Sequence, residues 1–409
     1  MAAQANTSVN TATPTTPSHA QIFLSFLWLG LTSFGGPVAH IGYFRVAFVD
    51  RNRWITATGF QHLLALCHML PGPSSSQLGF ALGVSWRGLG GGVLAFVGFT
   101  LPSALMMIGF GYGLVTLSVN FSSLIMALKL VTAAVVLHAV IGMAKGFALG
   151  VEKVAIAIAM AAVVLWVDMP FLTPLLILGC GGLGLLLIHP DQGEAGAQVL
   201  GYGRNWSSFA LVLFVEALAG LLLLAHLLPE SGWFALSQSY LAGTLVFGGG
   251  HVVLPLLEAS VVDTGLVSLT DFLAGYGMAQ VMPGPLFTFG GFLGAVMGEG
   301  AMAPLWGAVV MLVLFLPSFL LLLGVLPYWQ KWMLSSRLRA ALAGINAGVV
   351  GLLAAVLINP VLLTAIRTPQ DSVLVVTGLA LLLWGRINPI VVILAMLAAG
   401  WGLGLFGAG

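Results

Sequence analysis

Charge is what this chain lacks most. Its 409 residues include 13 Lys+Arg and 12 Asp+Glu, 6% of the total, where a soluble domain of this length carries roughly 100. A soluble globule is excluded. No basic patch is large enough to neutralise many phosphates, and the formal net charge is only +1, so a nucleic-acid partner is excluded as well. Cysteine is nearly absent: Cys67 and Cys180 lie singly in apolar segments and form neither a disulfide framework nor a zinc site. Phosphate loops, His-Glu-x-x-His and acidic metal-binding runs are missing, as is any polar block long enough for a nucleotide domain. The chain is therefore read as a non-enzyme without cofactors, and transport by it has to draw on gradients.

What remains is apolar: 59% of residues are hydrophobic and the mean hydropathy is +1.08. About 20 such residues make one helical crossing, and the pattern recurs from Ile22 to Phe406. The expected fold is an all-α polytopic membrane protein surrounded by lipid. Residues 1–21 are polar, hold no Lys or Arg and lack the positive leader of a secretory signal; they are expected to be a disordered tail. Residues 190–232 read as a linker that contains one unpaired apolar stretch, 207–228.

Four landmarks recur in order. Phe34-Gly35-Gly36-Pro37 matches Phe247-Gly248-Gly249-Gly250, and Pro71-Gly72-Pro73 matches Pro283-Gly284-Pro285. Leu101-Pro102-Ser103 matches Leu316-Pro317-Ser318, and Leu165-Trp166 before Pro170 matches Leu383-Trp384 before Pro389, with offsets of 212 to 219. The chain reads as a duplicated unit, 22–189 and 233–409.

Lys and Arg accumulate in short cytoplasmic loops, and their placement predicts that the second unit is inverted. The loop after the first segment holds Arg45, Arg51 and Arg53; its counterpart holds Glu258, Asp263 and Asp271. The loop near 118–123 is uncharged, whereas its counterpart carries Lys331, Arg337 and Arg339. An unpaired crossing at 207–228 produces such an inversion. With Arg45 to Arg53 and Arg87 on one side, the segment interrupted by Pro71-Gly72-Pro73 enters and leaves on that side, as a re-entrant hairpin. Treating the Phe34-Gly35-Gly36-Pro37 segment likewise gives four crossings per half and a ninth at 207–228. In the alternative, the first segment of each half spans fully and 207–228 lies at the interface.

Broken backbone at membrane depth is tolerated only where protein or a watery cavity covers it. Pro71-Gly72-Pro73 precedes Ser74, Ser75, Ser76 and Gln77; Pro283-Gly284-Pro285 precedes Thr288. A proline-led helix start with hydroxyls in its first turn presents N–H groups and partial positive charge suited to an anion. The other reading is close helix packing, which the recurrence of Gly35, Gly36, Gly72, Gly248, Gly249 and Gly284 disfavours. Lys129 is a base within an apolar stretch, and either balances a dianion or snorkels. Glu216, within the unpaired stretch, is a proton carrier, an ion-pair partner or a lipid-facing neutral acid. His40, His68 and His251 lie beside the broken turns, where an imidazole either couples protons to anion release or packs. Gln77 and Gln280 flank the Pro-Gly-Pro turns and either donate to an oxyanion or cap helix ends.

The run from Leu29 to Arg45, LGLTSFGGPVAHIGYFR, resembles the chromate ion transporter family. So do Pro71-Gly72-Pro73-Ser74-Ser75-Ser76-Gln77-Leu78-Gly79, the run from Phe247 to Glu258, and Pro283-Gly284-Pro285. The resemblance spans about 22–405. It implies export of chromate, with sulfate as a look-alike, across the bacterial cytoplasmic membrane, driven by membrane energisation and conferring chromate resistance. The expected site lies between the two turns: N–H groups near Gly72 and Gly284, Ser74 to Ser76, Thr288, and a base such as Arg45 or Lys129. An oxyanion channel or sensor, or a metabolite or lipid flippase, remains the alternative. The oligomeric state is open, a homodimer included.

Overall fold

The structure is a computed structural model, which describes residues 15–117, 122–147, 150–167, 172–189, 204–229, 232–246, 253–328, 335–384, 387 and 389–402. Helices and their connecting turns account for these, and no strand occurs among them. The protein is an all-α polytopic membrane protein. Five helical stretches are long and apolar enough to cross a bilayer: Ser74–Thr116, Ser123–Lys145, Trp206–Leu227, Gly300–Tyr328 and Ser336–Ala365.

The first half begins with α1, His19–Thr32, started by a capping box in which Ser18 Oγ accepts from Gln21 N–H and the Gln21 side chain accepts from Ser18 N–H. α2, Gly36–Arg45, follows a turn at Gly35 (φ +98°) and Gly36 (φ +74°), conformations that glycine adopts without strain. It runs into a π-helical turn, Val46–Arg51. α3, Ala57–Met69, is capped by Thr56, whose hydroxyl accepts from Gly59 N–H at 3.1 Å. α4 spans Ser74–Thr116, with non-helical backbone at Arg87 and Gly88. α5 (Ser122–Phe147), α6 (Val151–Trp166) and α7 (Leu172–Leu187) complete this half.

α8, Arg204–Leu227, stands between the halves. The element order then recurs: α9 (Gly232–Leu245), α10 (Val253–Leu257) with a π-helical turn at Glu258–Val262, and α11 (Leu269–Val281) with Ser268 as its cap. α12 (Phe289–Met297) and α13 (Ala303–Val325) correspond to the two parts of α4. α14 (Ser336–Val356), α15 (Pro369–Trp384) and α16 (Pro389–Gly402) correspond to α5, α6 and α7.

α4 doubles back on itself. A Cβ on Gly83 would meet the Gly91 carbonyl and lie 2.8 Å from the Gly92 Cα, although residues eight apart in a straight helix sit about 12 Å apart. The reversal at Arg87 and Gly88 makes 74–86 a short return helix. In the second half α12 returns against α13, with the Gly294 Cβ position 2.8 Å from the Gly307 Cα. At 13 residues each, α3 and α11 rise about 20 Å, well short of the ~30 Å hydrocarbon core. These are the broken helices that the Pro-Gly-Pro landmarks predicted.

The halves interleave. α5 packs on α11, α15 and α16, while α14 packs on α6 and α7. The α7–α14 seam is narrow because glycines face each other: a Cβ on Gly344 would meet the Cys180 carbonyl and lie 2.7 Å from the Gly184 Cα. Gly344→Val is expected to lower the melting temperature in detergent, since overpacking a tight seam costs about 1–3 kcal/mol; an unchanged melting temperature would mean that the seam opens freely.

Candidate functional site

Both Pro-Gly-Pro turns are built alike. α3 ends at Leu70 and α11 at Met282, each in extended backbone, and Gly72 (φ +126°) and Gly284 (φ +92°) then take conformations that disfavour side chains. Each turn is completed by the other half. Gly72 N–H donates to the Val246 carbonyl at 2.6 Å, and Gly284 N–H donates to the Ser33 carbonyl at 2.9 Å. Val246 and Ser33 each directly precede a Phe-Gly-Gly landmark. A Cβ on Gly72 would meet the Ser318 Cβ, and one on Gly284 would lie 2.7 Å from Ser103 Oγ. Ser103 and Ser318 occupy equivalent places in the repeat and donate to the equivalent carbonyls, Thr100 and Phe315. The two turns therefore exchange matching contacts across the centre of the protein.

Around them lie polar groups in an apolar surround. His40, in α2, places Nδ1 3.4 Å from Ser75 Oγ, in the first turn of α4, and its ring meets Phe99 edge-on at 5.2 Å. Ser33, His40, Ser76, Gln77 and Thr100 are at most 2% exposed. Among the described residues, Ser33 Oγ, His40 Nε2, Ser76 Oγ, Gln77 Oε1 and Thr100 Oγ1 have no hydrogen-bond partner. Buried polar atoms are nearly always paired, and each one left unpaired costs about 1–3 kcal/mol. Five orphaned atoms beside one pair of turns favour a polar occupant. The α4 N-terminus adds to this, because helical hydrogen bonding resumes only with Gln77 N–H to the Pro73 carbonyl and the N–H groups before it have no partner within the helix.

The structure brings together some of the expected residues and not others. Ser75, Ser76, Gln77 and His40 surround the first turn, with Ser74 buried beside them. The amides of Gly72 and Gly284 are committed to the opposite half. Gln77 Nε2 donates to the Pro71 carbonyl at 2.8 Å and the Ser318 carbonyl at 3.3 Å, so this side chain braces the turn. Thr288 donates to the Pro285 carbonyl at 2.8 Å. Gln280, on the last turn of α11, meets the Tyr276 side chain, and its buried Nε2 makes no well-aligned hydrogen bond among the described residues. Gly35 rests against Pro389 and Gly36 opens α2. Arg45 and His68 are exposed, and Glu216 is exposed on α8. Lys129 is buried on α5 at 6% exposure. Gly248, Gly249 and His251 lie outside the described residues.

Sequence reasoning missed Ser33, Thr100 and the pair Ser103/Ser318. The signal for the pair was present, since both serines belong to a recurring landmark. Ser33 abuts another. Thr100 has no such signature and is found only through the packing of α4.

A duplicated helical membrane protein with two broken turns enclosing buried polar groups has the architecture of a membrane transporter. The profile of the family described as "Chromate transporter" matches residues 20–185 and 233–401, and the chain belongs to that family. It is 32% identical to the chromate transport protein of Pseudomonas aeruginosa, covering 97% of this chain and 95% of that protein. It is 27% identical to the chromate transport protein of Cupriavidus metallidurans, over 90% and 89% of the two chains. An uncharacterized transporter of Methanocaldococcus jannaschii is 27% identical over 94% of each. No solved structure matches.

Proposed function

We propose that this protein exports chromate across the bacterial cytoplasmic membrane as a secondary active transporter, and that sulfate-like oxyanions compete for the same site. The observation that carries the reading is the set of orphaned, buried polar atoms around two reciprocally bonded turns. In the tautomer in which Ser75 Oγ donates to His40 Nδ1, 3.4 Å away, the ring carries its proton at Nε2, the ring atom with no partner among the described residues. Nε2–H, the Ser76 hydroxyl and the free amides at the start of α4 are the donors a tetrahedral oxyanion takes up, supported by the positive end of the helix dipole.

In this reading the units 22–189 and 233–409 are inverted relative to each other, with 190–232 as the linker that carries α8 between them. Rocking one half against the other opens the site to alternate faces. The exchanged contacts at Gly72 and Gly284 support such a pseudo-two-fold arrangement, since each half offers the other the same donor and acceptor. Direction then comes from coupling to an ion gradient, because a symmetric site by itself has no preference. Energised everted vesicles holding the protein are expected to accumulate labelled chromate, with sulfate as competitor; accumulation no greater than in empty vesicles would reject the function.

A further inference from the structure

A second polar track lies apart from the His40 cluster, along the seam where α5 of the first half meets α11 of the second. The helices approach closely at Gly277, where a Cβ would lie 2.6 Å from the Leu128 carbonyl and 2.9 Å from Thr132 Oγ1. Thr132 is fully buried, and among the described residues its hydroxyl has no hydrogen-bond partner. Three residues along α5, Lys129 is 6% exposed, and its ammonium is electrostatically coupled to Asp271 at the start of α11 and to Arg367. Among the described residues it forms no hydrogen bond or ion pair. Asp271 is already engaged with the cap residue Ser268: its carboxylate accepts from Ser268 Oγ at 2.7 Å, and its N–H donates back to that hydroxyl at 3.0 Å. Arg367 is exposed. One turn beyond Gly277 and four residues before Gly284 lies Gln280, whose side chain meets that of Tyr276 and whose buried Nε2 makes no well-aligned hydrogen bond among the described residues.

An intramembrane ammonium has to face the protein interior, a watery path or the interface. Here it heads a row of orphaned polar atoms that ends at the second Pro-Gly-Pro turn. We propose that Lys129, Thr132 and Gln280 form a second anion station, through which a tetrahedral oxyanion passes between one face of the membrane and the central turns. Arg367 extends the positive field outward from it. The inference rests on the transport reading for its substrate, but the station itself is testable without transport.

The test uses the full-length protein in membranes with Thr132→Cys, read against the wild type, whose two cysteines are buried. An anionic thiosulfonate reagent is expected to modify the introduced thiol roughly tenfold faster than a cationic one of similar size, as a local positive field dictates. Lys129→Gln should abolish that preference, Lys129→Arg should keep it, and sulfate should slow the reaction. No modification above wild type, or an anion preference that survives Lys129→Gln, overturns the station and leaves Lys129 as a snorkelling residue. Chromate accumulation measured alongside separates the two readings. Anion-selective labelling without accumulation removes the transport function and keeps the station; accumulation without anion-selective labelling removes the station alone.

Discussion

Gly72→Ala is expected to leave little folded, transport-competent protein. The side chain would enter a backbone conformation at φ +126° that L residues rarely adopt, and its Cβ would meet the Ser318 Cβ. Backbone strain of this kind costs roughly 1–2 kcal/mol, and overpacking adds about 1–3 kcal/mol. Together these come to about 2–5 kcal/mol, a large share of the ~5 kcal/mol that a fold at the lower end of the usual range has to lose. The same change displaces the amide that bonds Val246, so the damage reaches the other half. Gly72→Ala with Ser318→Gly should recover part of the melting temperature, because it removes the worst clash and leaves the strain and a close approach to Gln77 Nε2. Gly284→Ala should behave alike, with Ser103→Gly as its partial rescue. Fluorescence-detected gel filtration against temperature reads all four, and a wild-type melting temperature for Gly72→Ala would show that the turn is not the tight element described.

The second large effect is expected at His40. His40→Leu keeps a buried side chain of moderate size and removes the Nε2 donor. A hydrogen bond to a charged group contributes about 1.5–3 kcal/mol, which is roughly 10–150-fold in affinity. The KM for chromate uptake should rise by that order while the protein remains folded. His40→Gln, which keeps an N–H donor, should lose less, and Ser76→Ala should fall between them. An unchanged KM in His40→Leu at wild-type expression would move the site away from the first turn.

Much of this arrangement was legible in the residues. Pro71-Gly72-Pro73 and Pro283-Gly284-Pro285 announced broken helices because proline removes a donor and glycine alone accepts the conformation. The recurrence of four landmarks announced the order of elements that the helices follow. What local sequence does not encode is which half completes which turn. Nothing near Gly72 specifies Val246; that pairing depends on packing between distant segments, as does the use of the Gly72 and Gly284 amides within the protein rather than toward an anion. Exposure was equally hidden. Arg45 and His68 lie near landmarks and Lys129 within an apolar stretch, yet of the three only Lys129 is turned inward, because helix rotation rather than composition decides which face a side chain occupies.

The exchange of hydrogen bonds between the turns also bears on how the protein is made. A ribosome delivers the first half into the membrane well before Val246 and Gly284 exist. Until then the Gly72 amide has no native acceptor and the Ser33 carbonyl lacks its native donor. The first three helices therefore have to wait in an unfinished state, which makes the central site among the last parts to mature. Long-range closure of this kind slows folding, and a nascent chain arrested before Val246 should be open to proteolysis at its first Pro-Gly-Pro turn, with protection appearing only once Val246 has emerged to accept from Gly72.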